Sequence, residues 1–307
     1  MSFWKQPLLH GYFHATLPYR AWQNARRASA GTAPLMVLFY HRIADDAASP
    51  WTCSNRLFAQ QIRWLKHRFE LISLGEAQQR IRSGCNHRPA VSITFDDGYA
   101  ANCHQAIPLL LEQQIPCTYF VSSRCVLDGV PFPHDIANAY EGRPNTIEEI
   151  RAMADAGIEI GGHTRTHCDL GRLNNPAKLY DELIVGGEEL QEAIGRPIRY
   201  FAFPFGMRSN LNREVFRLAR HFGYDGVCSA YGGYNFPGDD PFHIRRFHAD
   251  DMLRLKNWTT VDPRKVRRGV NEFEIESGER PAIPQRIPAA AIEHFETGNQ
   301  PAGATVG

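Results

Sequence analysis

Two short stretches of this chain place acids and imidazoles where a polar reaction could use them. The run VSITFDDGY sets Asp96 and Asp97 at the end of an apolar segment and follows them with a glycine that permits a sharp turn. Adjacent side chains of a strand point to opposite faces, but a turn at the strand end can bring both carboxylates to one pocket. Such a pair suits a division of labour, although a β-turn Asp-Asp-Gly that caps a helix is the plainer reading of these residues alone. The run GGHTRTHCDL carries His163 and His167 just after the apolar IEIG. On one helical turn, residues four apart share a face, so both imidazoles could reach one metal ion at about 2.0–2.1 Å. Two nitrogens and one carboxylate oxygen suit zinc with a coordination position left open, and water held there ionises near neutral pH. That is apparatus for hydrolysing an amide or an ester.

These residues need a scaffold that brings strand ends together. From Leu35 onward, β-rich runs alternate with helical patterns: LMVLFY, AVSITF, CTYFVSS, IEIGGHT, RYFAFPFG and DGVCSA, separated by amphipathic stretches such as SNRLFAQQIRWLKHRF. Such alternation predicts βα units and a parallel sheet. Six or seven strands make a barrel-like α/β fold the better expectation than an open sheet, and the C-terminal strand ends are where such barrels assemble their sites. Pro108 implies a kinked or late-starting helix in YAANCHQAIPLLLEQQ. Residues 175–195 read as one long helix. Residues 123–145 lapse from the pattern and read as an insertion over one end of the sheet. The expected organisation is an arm over residues 1–34, one domain over 35–261 and a disordered Pro/Ala/Gly-rich tail over 262–307.

Composition excludes several function classes. With 34 basic and 33 acidic side chains the net charge is +1, which creates no field to gather nucleic acid. The seven cysteines are odd in number and scattered, and none forms a C-x-x-C pair; this reads as reduced thiols in a cytoplasmic protein. No stretch approaches the roughly 20 apolar residues of a membrane span, and the N-terminus is a poor signal peptide. Residues 1–30 carry Lys5, Arg20, Arg26 and Arg27 among aromatic and apolar side chains, with no acid. They read first as a packing arm and second as a segment that lies on an anionic membrane face.

TFDDGY, HTRTH and FAFPFG, in this order on successive strands, resemble the first three motifs of the polysaccharide deacetylases of carbohydrate esterase family 4. The resemblance runs from about residue 35 to 250. It implies a distorted (β/α) barrel of about seven strands, and a metal-dependent enzyme that removes acetyl groups from N-acetylated sugars. Carried over residue by residue, it makes Asp96 the general base and Asp97, His163 and His167 the metal ligands, with zinc as the default metal. It also assigns the Phe205 N–H, in the turn formed with Pro204, to the oxyanion, and leaves Thr94 a structural role. The commonest family form has an arginine where this chain has Ala202; that arginine orients the catalytic aspartate. Arg245 or Arg246 of HIRRFH could supply the charge, although a surface ion pair is the plainer expectation for them. The Ala form resembles the subgroup of poly-N-acetylglucosamine deacetylases, whose motif order looks circularly permuted.

The family's late Leu-x-x-His is missing from FHIRRFHADD, which lacks a preceding apolar strand, but its spelling occurs early, at Leu38 to His41. By that resemblance His41 is the general acid and Leu38 part of the pocket for the acetyl methyl. Phe132, Tyr140 and Tyr231 could stack on a sugar, though isolated aromatics are usually core. The alternatives are hydrolysis of another amide, of cyclic-imide or allantoin type, and a catalytically silent glycan-binding protein of the same fold.

Overall fold

The computed structural model describes residues 5–140, 142–249 and 251–266. Seven parallel strands form a closed ring in chain order: β1 (Leu35–Tyr40), β2 (Ala90–Phe95), β3 (Cys117–Val121), β4 (Glu159–Gly162), β5 (Tyr200–Ala202), β6 (Gly226–Ser229) and β7 (His243–His248). Closure is made by β1, which pairs with β2 on one side and with β7 on the other. The alternating strands and helices thus give the (β/α) barrel expected. A two-residue strand, Glu70–Leu71, adds to the edge of β2.

Register sets what the barrel holds. Val37 is level with Ser92 and Arg246, and Phe39 with Thr94 and His248. Strand side chains alternate, so these positions share the inner face with Phe120, Ala202, Cys228 and Ile244. The opposite parity, including Met36, Leu38, Tyr40, Val91, Ile93 and Phe95, packs outward against Phe58, Ile62 and Leu65 of the helix Asn55–Lys66 and against its neighbours. Ser54 caps that helix through a 3.2 Å bond to the Leu57 amide.

Local departures from the sequence expectations have simple causes. Pro108 stands in the first turn of a helix that begins only at Ala106, after a 3-10 turn over Ala100–Cys103, so it marks a late start. The long helix read over 175–195 is three pieces, with a π-helical Asp181–Val185 between α-helical Pro176–Tyr180 and Gly186–Ile194. The insertion holds two short helices, Ser123–Leu127 and Pro133–Asn138.

The N-terminal arm is a 25-residue helix, α1 (Lys5–Ser29). Arg20, 1% exposed, fastens it to the helix Met252–Thr259 through Asn257 Oδ1 (2.9 Å), the Asn257 carbonyl (3.2 Å) and Thr260 Oγ1 (3.0 Å). Tyr12 donates to Asp262 at 2.8 Å, and Asp262 begins a 3-10 turn through Lys265. The start of the expected tail is therefore packed against α1, while residues 267–307 lie outside the described residues.

Candidate active site

The C-terminal ends of β2 and β4 deliver the acids and imidazoles through strained backbone. Asp96 continues the inward parity of Ser92 and Thr94. Asp97, in the left-handed region with φ 75°, turns back so that its carboxylate reaches the same cavity. Thr164 (φ 60°), His167 (φ 59°) and Phe205 (φ 61°) share that conformation. Non-glycine residues held there cost about 1–3 kcal/mol each and cluster where function over-determines the backbone.

His163 and His167 do not lie on a helical turn, as their spacing suggested. The segment after β4 is an irregular loop, bent at Thr164 and His167. It is pinned by Ser122 Oγ donating to the His163 carbonyl (2.9 Å) and by the Thr166 amide and hydroxyl donating to Glu182 (2.9 and 2.6 Å). The outcome is the same convergence: Asp97 Oδ1 stands 3.2 Å from His163 Nε2 and 2.9 Å from His167 Nε2. Donors of a tetrahedral ion at 2.0–2.1 Å would be about 3.3 Å apart. The three residues are 1%, 2% and 7% exposed, and Asp97 Oδ1 is a buried oxygen with no hydrogen-bond partner. A hard-to-bury, orphaned carboxylate oxygen facing two imidazole nitrogens fits a divalent cation. Burial alone would raise the Asp97 carboxyl, but His167 and His163 hold it well below the ordinary carboxylate range.

Asp96 has a partner from β7, the strand beyond its neighbour β1. Arg246 of β7 is fully buried and donates to both Asp96 oxygens, at 2.6 and 2.8 Å, with further bonds to Thr94 Oγ1 (3.0 Å) and the Ser229 carbonyl (3.1 Å). Its guanidinium lies over Phe39 and Phe120, 4.9 and 5.2 Å from the ring centroids. Arg246 is therefore an interior ion pair and not the surface pair expected; Arg245, of opposite parity, pairs with Asp239 at 3.2 Å. Burial pushes Asp96 up, and the Arg246 guanidinium together with His163 and His41 outweighs it, leaving the carboxyl below its ordinary value. Thr94 is structural as expected, bridging Arg246 and the Leu38 carbonyl.

His41 lies one position past β1 with the inward parity of Val37 and Phe39. Its ring meets Phe39 edge-on at 5.5 Å and His248 at 5.3 Å; its Nδ1 is buried without a partner. Burial pushes its imidazole down to about 4, and that of His248 likewise. Leu38 does not join it. Residues three apart in a strand face opposite ways, and Leu38 packs in the outer layer against the helices, away from the cavity. Pro204 is buried at the end of β5, and Phe205 beside it is 52% exposed, its ring edge-on to His167 at 5.3 Å.

Other residues at the site escaped the sequence reading. FHIRRFHADD, which seemed to lack a strand, contains β7 itself, and its alternation of Ile244, Arg246 and His248 was the signal for an inward arginine. His134 of the insertion lies 3.7 Å from Asp97 Oδ2 and 3.3 Å, Nδ1 to Nδ1, from His167. Trp51 packs edge-on against both His134 and Tyr140. Of the three aromatic candidates, Phe132 is fully buried and stacks on His134, Tyr140 packs on Trp51, and Tyr231 lies under Arg208 away from this group.

Residues 83–227 match the family model described as polysaccharide deacetylase. Over that stretch, a little under half of the chain, the sequence is similar to the polysaccharide deacetylases. It is 25% identical over 205 residues to YxkH of Bacillus subtilis (strain 168), covering 65% of this chain and 66% of that protein. It is 29% identical over 120 residues to the chitooligosaccharide deacetylase of Bradyrhizobium sp. (strain ANU 289), covering 38% of this chain and 47% of the relative. The chain thus spans less than two thirds of either curated relative. Among solved structures, IcaB from Ammonifex degensii superposes with a TM-score of 0.60 at 26% identity, covering 74% of this chain and 97% of that one. Polysaccharide deacetylases of this family are metal-dependent, in keeping with the Asp97, His163 and His167 cluster.

Proposed function

We propose that this chain removes N-acetyl groups from N-acetylhexosamine units of a glycan or glycan precursor, using a divalent cation, with zinc the first choice, held by Asp97, His163 and His167. The observation that carries the reading is the orphaned Asp97 Oδ1 between two imidazole nitrogens, beside an Asp96 kept ionised by Arg246. A cation bound there would polarise the acetamide carbonyl and acidify water. Asp96, fixed in a bidentate grip, is the base that takes the proton of the attacking water. Phe205 offers its backbone N–H to the carbonyl oxygen as charge develops, its left-handed turn following the buried Pro204. His41 begins neutral, since burial lowers it to about 4. It serves as acid by receiving the proton that Asp96 has taken from the water, an uptake that the charges of Asp97 and Asp96 favour, and passing it to the leaving amine. The likeness to the chitooligosaccharide deacetylase supports an amino-sugar substrate.

The test is acetate release from N-acetylglucosamine oligomers by the wild type and by Asp96→Asn, with metal content measured on both. Acetate from the wild type, a loss on substitution and retained metal support the reading. No bound metal and no effect of Asp96→Asn would leave a silent glycan-binding fold; ring opening of allantoin without acetate release would move the site to another amide.

The same reading puts the enzyme in the cytoplasm with α1 against an anionic membrane face. Its supports are seven free thiols and a helix whose Leu8, Tyr19 and Trp22 are 72%, 50% and 55% exposed, in a chain whose first acidic residue is Asp45. Co-sedimentation with anionic but not neutral vesicles, reduced in Tyr19→Ser/Trp22→Ser, is the expected result; equal partition of both proteins would remove this part.

A further inference from the structure

The metal ligand His163 has a plain arrangement: with Nε2 toward Asp97, its Nδ1–H donates to the Ala202 carbonyl at 2.8 Å, which fixes its tautomer and ring plane. Among the described residues no backbone carbonyl takes that role for His167. Its Nε2 also faces Asp97, so its proton stands on Nδ1, and the atom that Nδ1 meets is His134 Nδ1 at 3.3 Å.

The direction of the remaining bonds follows by elimination. A His134 whose Nδ1 accepts must carry its own proton on Nε2, and Nε2 is 2.8 Å from the Tyr99 hydroxyl oxygen. Tyr99, having accepted that bond, donates its own proton to Asp135 Oδ2 at 3.0 Å. Asp135 is 1% exposed and closes the series as an acceptor. Each donor along this series thus has one acceptor. The 3.7 Å from His134 Nε2 to Asp97 Oδ2 is too long to compete with the Tyr99 bond. The His134 ring is held in this plane by Phe132, stacked at 5.7 Å and 18°, and by Trp51, edge-on at 5.2 Å.

We infer that the insertion supplies a relay, His167 Nδ1 to His134 to Tyr99 to Asp135, that orients the metal-binding imidazole of His167 and raises its basicity, making His134 and Tyr99 positioning residues for the cation. The inference rests on the proposed metal site. It gives the insertion's helix Pro133–Asn138 a role: its adjacent residues His134 and Asp135 are the second and last members of the relay, His134 beside the metal ligand and Asp135 beside Tyr99. Partners of this kind typically change metal affinity 10–100-fold.

The experiment is a Zn2+ competition titration against a chromophoric chelator on the full chain, for the wild type, His134→Phe and Tyr99→Phe. Both variants keep an aromatic ring, and Tyr99→Phe cuts the relay two bonds from the ligand without touching the cavity. Expected are Zn2+ affinities about 10–100-fold weaker for His134→Phe and weakened to a smaller degree for Tyr99→Phe. In the Co2+-loaded proteins, proton NMR should show two exchangeable, paramagnetically shifted imidazole N–H signals in the wild type. His134→Phe should lose one to solvent exchange and keep the one that His163 shares with Ala202. Unchanged affinity and both signals in both variants would overturn the relay, as would X-ray absorption showing one imidazole fewer on the metal in His134→Phe, which would make His134 a ligand. Failure of the wild type to bind Zn2+ or Co2+ would instead defeat the metal site itself.

Discussion

Replacing Arg246 by methionine should cost about 3–5 kcal/mol of stability at neutral pH, and much of that should return when Asp96 is also replaced by asparagine. Methionine keeps an apolar stem between Phe39 and Phe120 and removes the charge. It leaves a carboxylate that is 3% exposed without the guanidinium that grips both its oxygens, and it takes donors from Thr94 and the Ser229 carbonyl. Two unit charges about 4 Å apart attract by about 4 kcal/mol at an effective dielectric constant near 20, in agreement with the cost of orphaning one member of a buried pair. The pH dependence has a definite sign. In the wild type Asp96 is depressed below 3.8, so the stability it contributes is present in full above that value and is lost as pH falls through the folded value. In Arg246→Met burial acts without the guanidinium against it and the carboxyl rises, so the deficit is greatest at neutral pH and shrinks as acid protonates Asp96. Urea unfolding followed by tryptophan fluorescence at pH 7 and at about pH 4.5, on the two single variants and the double, measures both effects. A loss under about 1 kcal/mol for Arg246→Met, or a double variant no more stable than Arg246→Met, would refute the reasoning.

Three further outcomes are expected. His41→Gln should lower turnover with the metal retained; because the folded imidazole is near 4 and the unfolded one near 6.5, the wild type loses stability as pH falls across that window, and the variant should lose less in urea midpoints compared at pH 7 and pH 5. Arg20→Met should destabilise by about 1.5–3 kcal/mol in thermal or urea unfolding, since it strips the charged bonds that hold α1 to Asn257 and Thr260. Asp97→Asn should abolish tight Zn2+ binding in the competition titration while leaving the far-ultraviolet circular dichroism unchanged.

The alternation of strands and helices, the strand-end acids and the paired histidines could all be read from the sequence because each is a local pattern. The closure of the ring was not local: it depends on Leu35–Tyr40 finding both Ala90–Phe95 and His243–His248, and the last of these is too polar to look like a strand. Its polarity comes from the site it serves, since Arg246 and His248 point into the cavity. Leu38 was misplaced for the opposite reason. Its spelling matched a motif, while the parity of an extended chain, visible in the same six letters, already set it on the other face from His41. His134 carried no sequence signal beyond its position in an irregular segment, because a hydrogen-bond relay is assembled from three distant parts of the chain.

Closure also explains how an alanine can stand at position 202 without stranding Asp96. Inside a ring every strand offers inward positions to the same small volume, so a long side chain from one strand can do work usually given to another. Ala202 and Arg246 are both fully buried, on β5 and β7, two strands apart, so the guanidinium that the resemblance expects at position 202 is supplied to Asp96 from β7. The last strand reaches Asp96 past the first, with Phe39 of β1 lying under the guanidinium. His41 lies just beyond that same strand, so β1 and β7 together flank the base, and the two ends of the barrel's sequence meet at one cavity.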